Sequence, residues 1–284
     1  MTCYAAFMPL RLIMFGDIVG GPGRRAVQQL LPELRAKYRP DIVLANAENA
    51  ANGSGLTPEL YRKIAASGVD AMTLGDHVYK KAEIVTTLET ATNLIRPANL
   101  PSGAKGRRWM KVDAMKDGQV NRDLPPIYVM TVLGRIFMSL PADDPFATVD
   151  QVLAGLPVKD PIVLVEVHAE TTSEKQALGW HLDGRVAAVV GTHTHVATAD
   201  ARILPKGTAY QTDLGMCGPM TSVLGRSVAP VLLHMTTAMH APYDVAEGDP
   251  RVSGVFIEID EASRCATAIE RFELKANVNA PPFL

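Results

Sequence analysis

Short apolar runs alternate with helical patterns along the first ninety residues of the chain. Residues 11–15 form an apolar run, and a helical pattern follows over residues 22–37. The same order returns at 41–46 followed by 58–67 and at 71–74 followed by 81–90, with Thr57 as a cap and Pro58 at the first helical position. Strands that alternate with helices of this length predict a largely parallel sheet covered on its faces.

The pattern changes after residue 107. Runs at 109–112 and 127–132, separated by the turn-like Lys116-Asp117-Gly118, predict antiparallel strands. Thr171 and Glu174 have the spacing of a capping box that opens a helix to about residue 182. Further strands are predicted at 162–167, 186–190, 209–212, 254–259 and 267–272. The chain is therefore predicted to be an α/β protein, with two sheets or one bent sheet in a single domain.

Composition and length fit one folded domain. The chain has 284 residues, of which 47% are hydrophobic and 20% charged, and its formal net charge is −2. These values allow a full core and disfavour a disordered chain, an acidic tail or a nucleic-acid coat. We expect residues 1–10 to be an N-terminal extension, in which Met8 could be the true start. Residues 11–284 are expected to form the domain, with a possible lobe or subunit contact at 221–250, the least regular segment.

The sequence predicts neither a membrane span nor secretion. No apolar run approaches the ~18 to 20 residues that a span requires, and the first ten residues lack the pattern of a signal peptide. Cys3, Cys217 and Cys265 have no paired spacing, which argues against a disulfide framework and a zinc-cysteine site. A soluble protein in a reducing cytoplasm is expected.

Unusual polar residues follow the carboxyl ends of five predicted strands, the edge at which open α/β sheets place their sites. They are Asp17, Glu48, Asn49, Asp76, His77, His168, His193 and His195. Taken singly, Asp17 or Asn49 is explained by a turn or cap, and His168 by a hydrogen-bonded core histidine. His193 and His195 are a stronger signal, because alternate residues leaving a strand point the same way.

Seven of these residues, all but His77, form a metal-ligand set. Three carboxylates, one amide oxygen and three imidazoles, without cysteine, suit iron, manganese or zinc. Seven donors exceed the needs of one ion with an open position, so we expect two ions roughly 3.5 Å apart that share a carboxylate. Such a centre suits hydrolysis at phosphorus, because the ions activate a shared water and offset the negative charge of the transition state.

Long ordered motifs carry a resemblance to a known family. They read FGDIVGGPGR, NAENAANGSGLT, TLGDHVYKKAEI, RPANLP, VLGRIFM, DDPF, VEVHAETTSEKQALGWHLDGRVAAVVGTHTHV and ILPKGTAYQTDLGMCGP. From about residue 8 to 272 the chain resembles the YmdB-type metallophosphoesterases, the 2′,3′-cyclic-nucleotide 2′-phosphodiesterase family within the calcineurin-like superfamily. The resemblance is weakest at 221–242.

The resemblance implies a calcineurin-like α/β sandwich of two mixed β-sheets flanked by helices. It also implies a centre of two transition-metal ions, with iron expected first and manganese or zinc as alternatives. The implied reaction opens 2′,3′-cyclic nucleotides at the 2′ ester, with 3′,5′-cyclic nucleotides as further candidates, through attack by a metal-bridging hydroxide.

The resemblance assigns a role to each residue. Asp17, Asn49 and His195 would hold the first metal, Asp76, His168 and His193 the second, and Glu48 would bridge both. His77 would protonate the departing ribose oxygen, the alternative being a structural loop histidine. The family usually shows Gly-Asn-His where this chain has Gly75-Asp76-His77. We expect the extra carboxylate to lower the Lewis acidity of the ions or to favour a more highly charged second ion.

Two alternative functions stay open at this point. The first is a phosphomonoesterase or nucleotidase with the same metals, because ligands indicate the reaction class better than the substrate. The second is a regulatory protein that binds a nucleotide with little turnover. We expect a small cyclic nucleotide as the partner, no stable complex with nucleic acid or membrane, and a homo-oligomer.

Overall fold

The computed structural model describes residues 9–277. The predictions for Cys3, Met8 and most of the extension at 1–10 lie outside the described residues. Nothing in the structure divides the chain in a way that tests the domain boundaries 11–284, which stay a prediction.

The described residues form six helices and fifteen strands. The helices are α1 Gly20–Tyr38, α2 Pro58–Ala66, α3 Ile84–Thr90, α4 Pro145–Ala154, α5 Thr172–Leu182 and α6 Val228–Thr237. The strands are β1 Leu10–Ile18, β2 Ile42–Asn46, β3 Ala71–Thr73, β4 Leu94–Ile95, β5 Trp109–Val112, β6 Met115–Lys116, β7 Gln119–Val120, β8 Ile127–Leu133, β9 Ile162–His168, β10 Ala188–Thr192, β11 Arg202–Ile203, β12 Ala209–Gln211, β13 Met216–Pro219, β14 Pro250–Ile259 and β15 Ala266–Lys275.

Two mixed sheets contain most of these strands. The first has the order β15-β14-β13-β1-β2-β3-β4, in which β14 and β15 are antiparallel to their neighbours. The second has the order β11-β12-β10-β9-β8-β5, with antiparallel strands at its edges. The antiparallel pairing predicted after residue 107 is confirmed for β5 and β8, but β8 also joins β9 in parallel.

Continuous apolar strands fill both faces of the first sheet. Leu12 and Met14 pack between the two sheets, whereas Ile13 and Phe15 pack on the opposite face with α1. Successive side chains on a strand alternate between faces, so a strand covered on both sides is apolar at every position. A third cluster covers the outer face of the second sheet with α4 and α5. The prediction of two mixed sheets flanked by helices is confirmed.

Two helix starts were predicted from local sequence, with different outcomes. The Thr57 hydroxyl accepts a hydrogen bond from the Leu60 amide, and Pro58 opens α2, as predicted. The capping box at the start of α5 is wrong, because the Thr171 side chain accepts no hydrogen bond from a helix amide. Glu174 instead accepts a hydrogen bond from the Thr171 hydroxyl and bonds from the Arg135 and Ile136 amides in the loop after β8.

The segment 221–250, predicted as a possible lobe, contains α6 and several exposed apolar side chains. They include Leu232, Leu233 and Met235. No helix in the described part of the chain is long and apolar enough to cross a membrane.

Candidate metal centre

The carboxyl ends of five strands place the predicted ligands. Asp17 lies within the end of β1 rather than after it, because β1 continues to Ile18. Glu48 and Asn49 lie in the turn after β2, and Asp76 and His77 in the turn after β3. His168 is the last residue of β9, and His193 and His195 follow β10.

Four of the predicted ligands form a compact cluster. Glu48, Asp76, His168 and His193 each offer one donor atom, and these atoms lie within 4.8 Å of one another. His168 Nε2 lies 3.0 Å from Asp76 Oδ1 and 3.2 Å from Glu48 Oε1. His193 Nδ1 lies 3.1 Å from His168 Nε2. The fold therefore brings carboxylates and imidazoles from both sheets to one point.

The other three predicted ligands adjoin this cluster. Asn49 Nδ2 lies 3.2 Å from Glu48 Oε1 and 3.1 Å from His195 Nε2. Asp17 Oδ2 accepts a hydrogen bond from the His193 amide at 3.1 Å, whereas Asp17 Oδ1 is buried and has no hydrogen-bond partner among the described residues. All seven predicted ligands thus lie in one contiguous network.

Hydrogen bonds outside the cluster set the tautomers of two histidines. The Thr192 hydroxyl donates to Glu166 Oε1 at 2.7 Å, so it accepts from His168 Nδ1, which lies 2.9 Å away. His195 Nδ1 donates to the carbonyl oxygen of Leu224 at 3.0 Å. In the neutral form of both rings Nε2, the nitrogen that faces the cluster, therefore carries the lone pair.

His193 is oriented in a similar way, but its Nε2 points outwards and its Nδ1 faces the cluster. His193 Nε2 lies 3.2 Å from Glu170 Oε2, so its proton faces outwards and Nδ1 faces Asp76 and His168. A ligating histidine typically donates its other ring N–H to a carboxylate or carbonyl in this manner.

This donor set fits transition-metal ions. Inward imidazole lone pairs and carboxylate oxygens are all acceptors, and they repel one another at hydrogen-bond distance unless a cation lies between them. Nitrogen and oxygen donors without sulfur suit iron, manganese or zinc. Asn49 is the exception, because its Nδ2 faces Glu48 and His195, and ligation by its oxygen requires the amide to be turned over.

The titration of the cluster reflects its burial and its negative charge. Burial raises the pKa of Asp17 to about 8, and Glu48 adds to this rise. Burial works against the charged form of His168, but Glu48 and Asp76 raise its pKa well above the ordinary value. Burial likewise opposes ionisation of Asp76, but the neighbouring imidazoles of His168 and His193 lower its pKa below the ordinary value. The cluster thus favours positive charge at its centre.

His77 lies at the accessible side of the cluster. Its amide donates to Glu48 Oε2 at 2.9 Å, and its Nδ1 lies 2.7 Å from Asn49 Oδ1. Its Nε2 lies 3.9 Å from Asp76 Oδ2, and 29% of the side chain is exposed. Burial lowers the pKa of His77, against the charges of Glu48 and Asp76. The ring can therefore reach a ligand bound at the cluster.

The loop that carries the last two histidines has an unusual backbone. His193 and His195 have φ values of 95° and 64°, a region that residues other than glycine rarely adopt. Thr194 between them is held by Asp213 Oδ2, which accepts from the Thr194 amide at 3.2 Å and from its hydroxyl at 2.8 Å. Lys175 Nζ lies 2.7 Å from the same oxygen.

Sequence reasoning missed several of these supporting residues. Glu166, Glu170 and Asp213 orient the histidines or their loop without belonging to the predicted ligand set. Glu166 had a recognisable signal, because it is a charged residue in the middle of the apolar strand IVLVEVH. Gly75 has a steric role, since a Cβ atom there would lie 2.3 Å from His168 Nε2.

Comparisons with known proteins identify relatives of this chain. The family model described as YmdB-like protein matches residues 13–272. The 2′,3′-cyclic-nucleotide 2′-phosphodiesterase of Bacillus subtilis (strain 168) is 44% identical over 262 residues, which are 92% of this chain and 96% of that protein. A hypothetical protein from Thermus thermophilus has a crystal structure with a TM-score of 0.84 and 40% identity, covering 94% of this chain and 100% of that chain. The crystal structure of a novel phosphatase from Mycoplasma pneumoniae has a TM-score of 0.86 and 30% identity, covering 95% of this chain and 94% of that chain.

Proposed function

This chain belongs to the YmdB-like protein family, and from that premise we propose that it opens 2′,3′-cyclic nucleotides at the 2′ ester in a metal-dependent reaction. The prediction of an enzyme, a phosphoric diester hydrolase, is confirmed by the named activity of the Bacillus subtilis relative. The cyclic nucleotide substrate, the two-ion centre and the residue roles are our proposal.

The observation that carries the proposal is the common orientation of three imidazoles. His168, His193 and His195 each direct one ring nitrogen outwards to an acceptor, and the opposite nitrogen faces carboxylate or amide groups of the cluster. A purely structural cluster would pair these acceptors with donors. The arrangement is instead suited to holding cations.

We assign the ligands in two groups that share one carboxylate. Asp17, Asn49 and His195 would hold one ion, Asp76, His168 and His193 the other, and Glu48 both. Transition-metal ions bound there would supply a nucleophile from water near neutral pH and would offset the charge of the phosphate oxygens. Iron is our first expectation, with manganese or zinc as alternatives, and elemental analysis of chelator-free protein identifies the metal.

His77 is proposed to deliver the proton to the departing ribose oxygen. Asn49 lies 2.7 Å from its Nδ1. With the Asn49 amide turned over for ligation, Asn49 Nδ2 would donate to His77 Nδ1, which would orient the ring and leave the proton on Nε2. An alkoxide is a poor leaving group, so a positioned acid contributes roughly 10² to 10⁴ in rate, whereas nitrophenolate leaves without protonation.

The test is His77→Ala assayed on two substrates. We expect turnover of 2′,3′-cyclic AMP to fall by about 10² or more, and that of bis(p-nitrophenyl) phosphate by less than about tenfold. The matched control is His234→Ala, which removes an exposed histidine of α6 and should change neither rate. Equal losses on both substrates would contradict the acid role of His77.

A second candidate is a phosphomonoesterase with the same ligands, which the Mycoplasma pneumoniae phosphatase favours. Rates on 2′,3′-cyclic AMP, 3′,5′-cyclic AMP and 5′-AMP separate the candidates. A kcat/KM highest for 5′-AMP would replace the diesterase proposal, and nucleotide binding without hydrolysis of any of the three would favour a regulatory role. The homo-oligomer stays a prediction, which the molar mass in solution tests.

A further inference from the structure

A cavity of about 570 Å³ lies between the segment that follows β4 and helix α4. It shares no lining residue with the candidate metal centre. The polar side chains in its wall include Arg96, Ser102, Arg108, Asp143, Thr148 and Gln151. Two arginines therefore line one cavity.

Arg96 is buried without a balancing charge. Only 3% of the residue is exposed, and it forms no ion pair within residues 9–277. Arg96 Nη1 donates to the carbonyl oxygen of Pro97 at 2.7 Å, but Arg96 Nε is buried and has no hydrogen-bond partner in that range. A buried charge is costly unless it is paired and hydrogen-bonded, so this guanidinium lacks an anion.

Arg108 adds a second positive charge to the same wall. Its Nε donates to the carbonyl oxygen of Ala98 at 3.0 Å, and its Nη2 donates to Gln151 Oε1 at 3.0 Å. Both partners are neutral, so they orient the guanidinium without neutralising it. Burial lowers the pKa of Arg96, and the charge of Arg108 lowers it further, whereas Tyr79 opposes the shift. The two cations repel each other across a space that an anion would occupy favourably.

The acidic residues in the wall do not supply that anion. Asp144 Oδ1 accepts hydrogen bonds from the Phe146 and Ala147 amides as the cap of α4. Asp143 lies in the wall but is more than 4.0 Å from the nitrogens of Arg96, since no ion pair joins these two described residues. Asp143 therefore does not pair with Arg96, and its negative charge opposes an incoming anion.

We propose that this cavity binds a phosphate group through Arg96 and Arg108. Guanidinium groups match the oxygens of phosphate in geometry and charge, and the Thr148 and Ser102 hydroxyls in the wall are further donors. The phosphate comes either as inorganic phosphate or as the terminal phosphate of a nucleotide. The site does not depend on the proposed hydrolysis.

The test is isothermal titration of the full-length protein, as purified, with inorganic phosphate at constant ionic strength. Arg108→Gln should raise the dissociation constant of this site at least tenfold, and Asp143→Asn should lower it. The matched control is Arg107→Gln, which changes an exposed neighbouring arginine outside the cavity and should leave binding unaltered. Phosphate bound at the candidate metal centre would be insensitive to Arg108→Gln, so an unchanged isotherm overturns the proposal.

A second variant addresses the buried arginine directly. Arg96→Met removes the uncompensated charge and keeps most of the length of the side chain. In phosphate-free buffer we expect the Tm of this variant to equal or exceed that of the parent. Phosphate should raise the Tm of the parent but not that of the variant. A Tm that still rises with phosphate as in the parent overturns the proposal, and Arg108→Gln provides the same test if Arg96→Met does not fold.

Titration with adenosine 3′-monophosphate identifies the source of the phosphate. Tighter binding of the nucleotide than of inorganic phosphate, lost in Arg108→Gln, assigns the site to a nucleotide. Equal or weaker binding, also lost in that variant, assigns it to free phosphate. Hydrolysis of 2′,3′-cyclic AMP in phosphate-free buffer should be the same in the parent and in Arg108→Gln, so this result is independent of the proposed function.

Discussion

The buried ion pair behind the histidine loop yields the sharpest stability prediction. Lys175 and Asp213 are each 1% exposed, and their charged atoms lie 2.7 Å apart. Lys175→Met removes the ammonium group and retains most of the side-chain length. Asp213 would keep hydrogen bonds from the Gly215 amide and from Thr194, but it would lose the cation that balances its charge.

The size of the loss follows from the remaining partners. Removal of one member of a buried ion pair costs about 3 to 5 kcal/mol, because the other charge stays buried. The hydrogen bonds from Gly215 and Thr194 to Asp213 survive in Lys175→Met, so we expect the lower end, about 3 kcal/mol. Asp213→Asn leaves a buried ammonium with fewer acceptors and should cost more. The double variant should lose about 2 kcal/mol less than the two single losses combined.

Urea denaturation of the metal-free protein measures these changes in the free energy of unfolding. The matched control is Lys63→Met, which breaks the exposed pair of Lys63 with Glu59 and should cost less than about 0.5 kcal/mol. Metal titration provides a second readout, since Asp213 holds Thr194 between two proposed ligands. A cost below about 1 kcal/mol for Lys175→Met, with no coupling in the double variant, would refute this reasoning.

Three further predictions concern the centre and the core. Glu170→Gln should weaken metal binding by about 10- to 100-fold, because it weakens the acceptor that orients His193. A metal titration that matches that of the parent would show that Glu170 does not orient His193 for ligation. Asp76→Asn removes one of three carboxylates and so increases the Lewis acidity of the bound ions, which should move the acidic limb of the pH–rate profile to lower pH. An unmoved limb would contradict the proposal that Asp76 lowers this acidity. Burial raises the pKa of the Cys217 thiol to about 12, so peptide mapping should find Cys217 unlabelled after iodoacetamide treatment of the native protein at about pH 8. As the pH rises, the thiol of the unfolded chain ionises from about pH 9, before the thiol of the folded chain. The free energy of unfolding should therefore fall further in the parent than in Cys217→Ala between about pH 9 and about pH 12. Equal losses in the two proteins would refute the shifted pKa.

Local sequence determined the elements and the position of the chemistry. Apolar runs that alternate with helical patterns identified β1 to β3, and Thr57 with Pro58 identified the start of α2. These features depend on residues that are close together in the chain, so they can be predicted without knowledge of the rest of the fold. The placement of polar residues at strand ends was sufficient to nominate all seven proposed ligands together with His77.

Tertiary structure decided where local signals had competitors. Glu174 has the spacing of a capping residue, but its carboxylate accepts hydrogen bonds from two amides of the loop after β8 instead. These amides are 38 and 39 residues away in the chain. Strand β13 is four residues long and was not predicted, because it forms by pairing with β1 and β14 rather than from its own pattern.

The same distinction applies to the centre. The sequence determined which side chains could ligate a metal, because residue type and strand-end position are local properties. Only the folded chain decided which imidazole nitrogen faces inwards, since Thr192, Glu170 and Leu224 set the three tautomers. Glu166 shows the physical reason, because its carboxylate joins Asn46 of the first sheet, 120 residues away in the chain, to Thr192 of the second. Partners so distant in sequence meet only when both sheets are stacked.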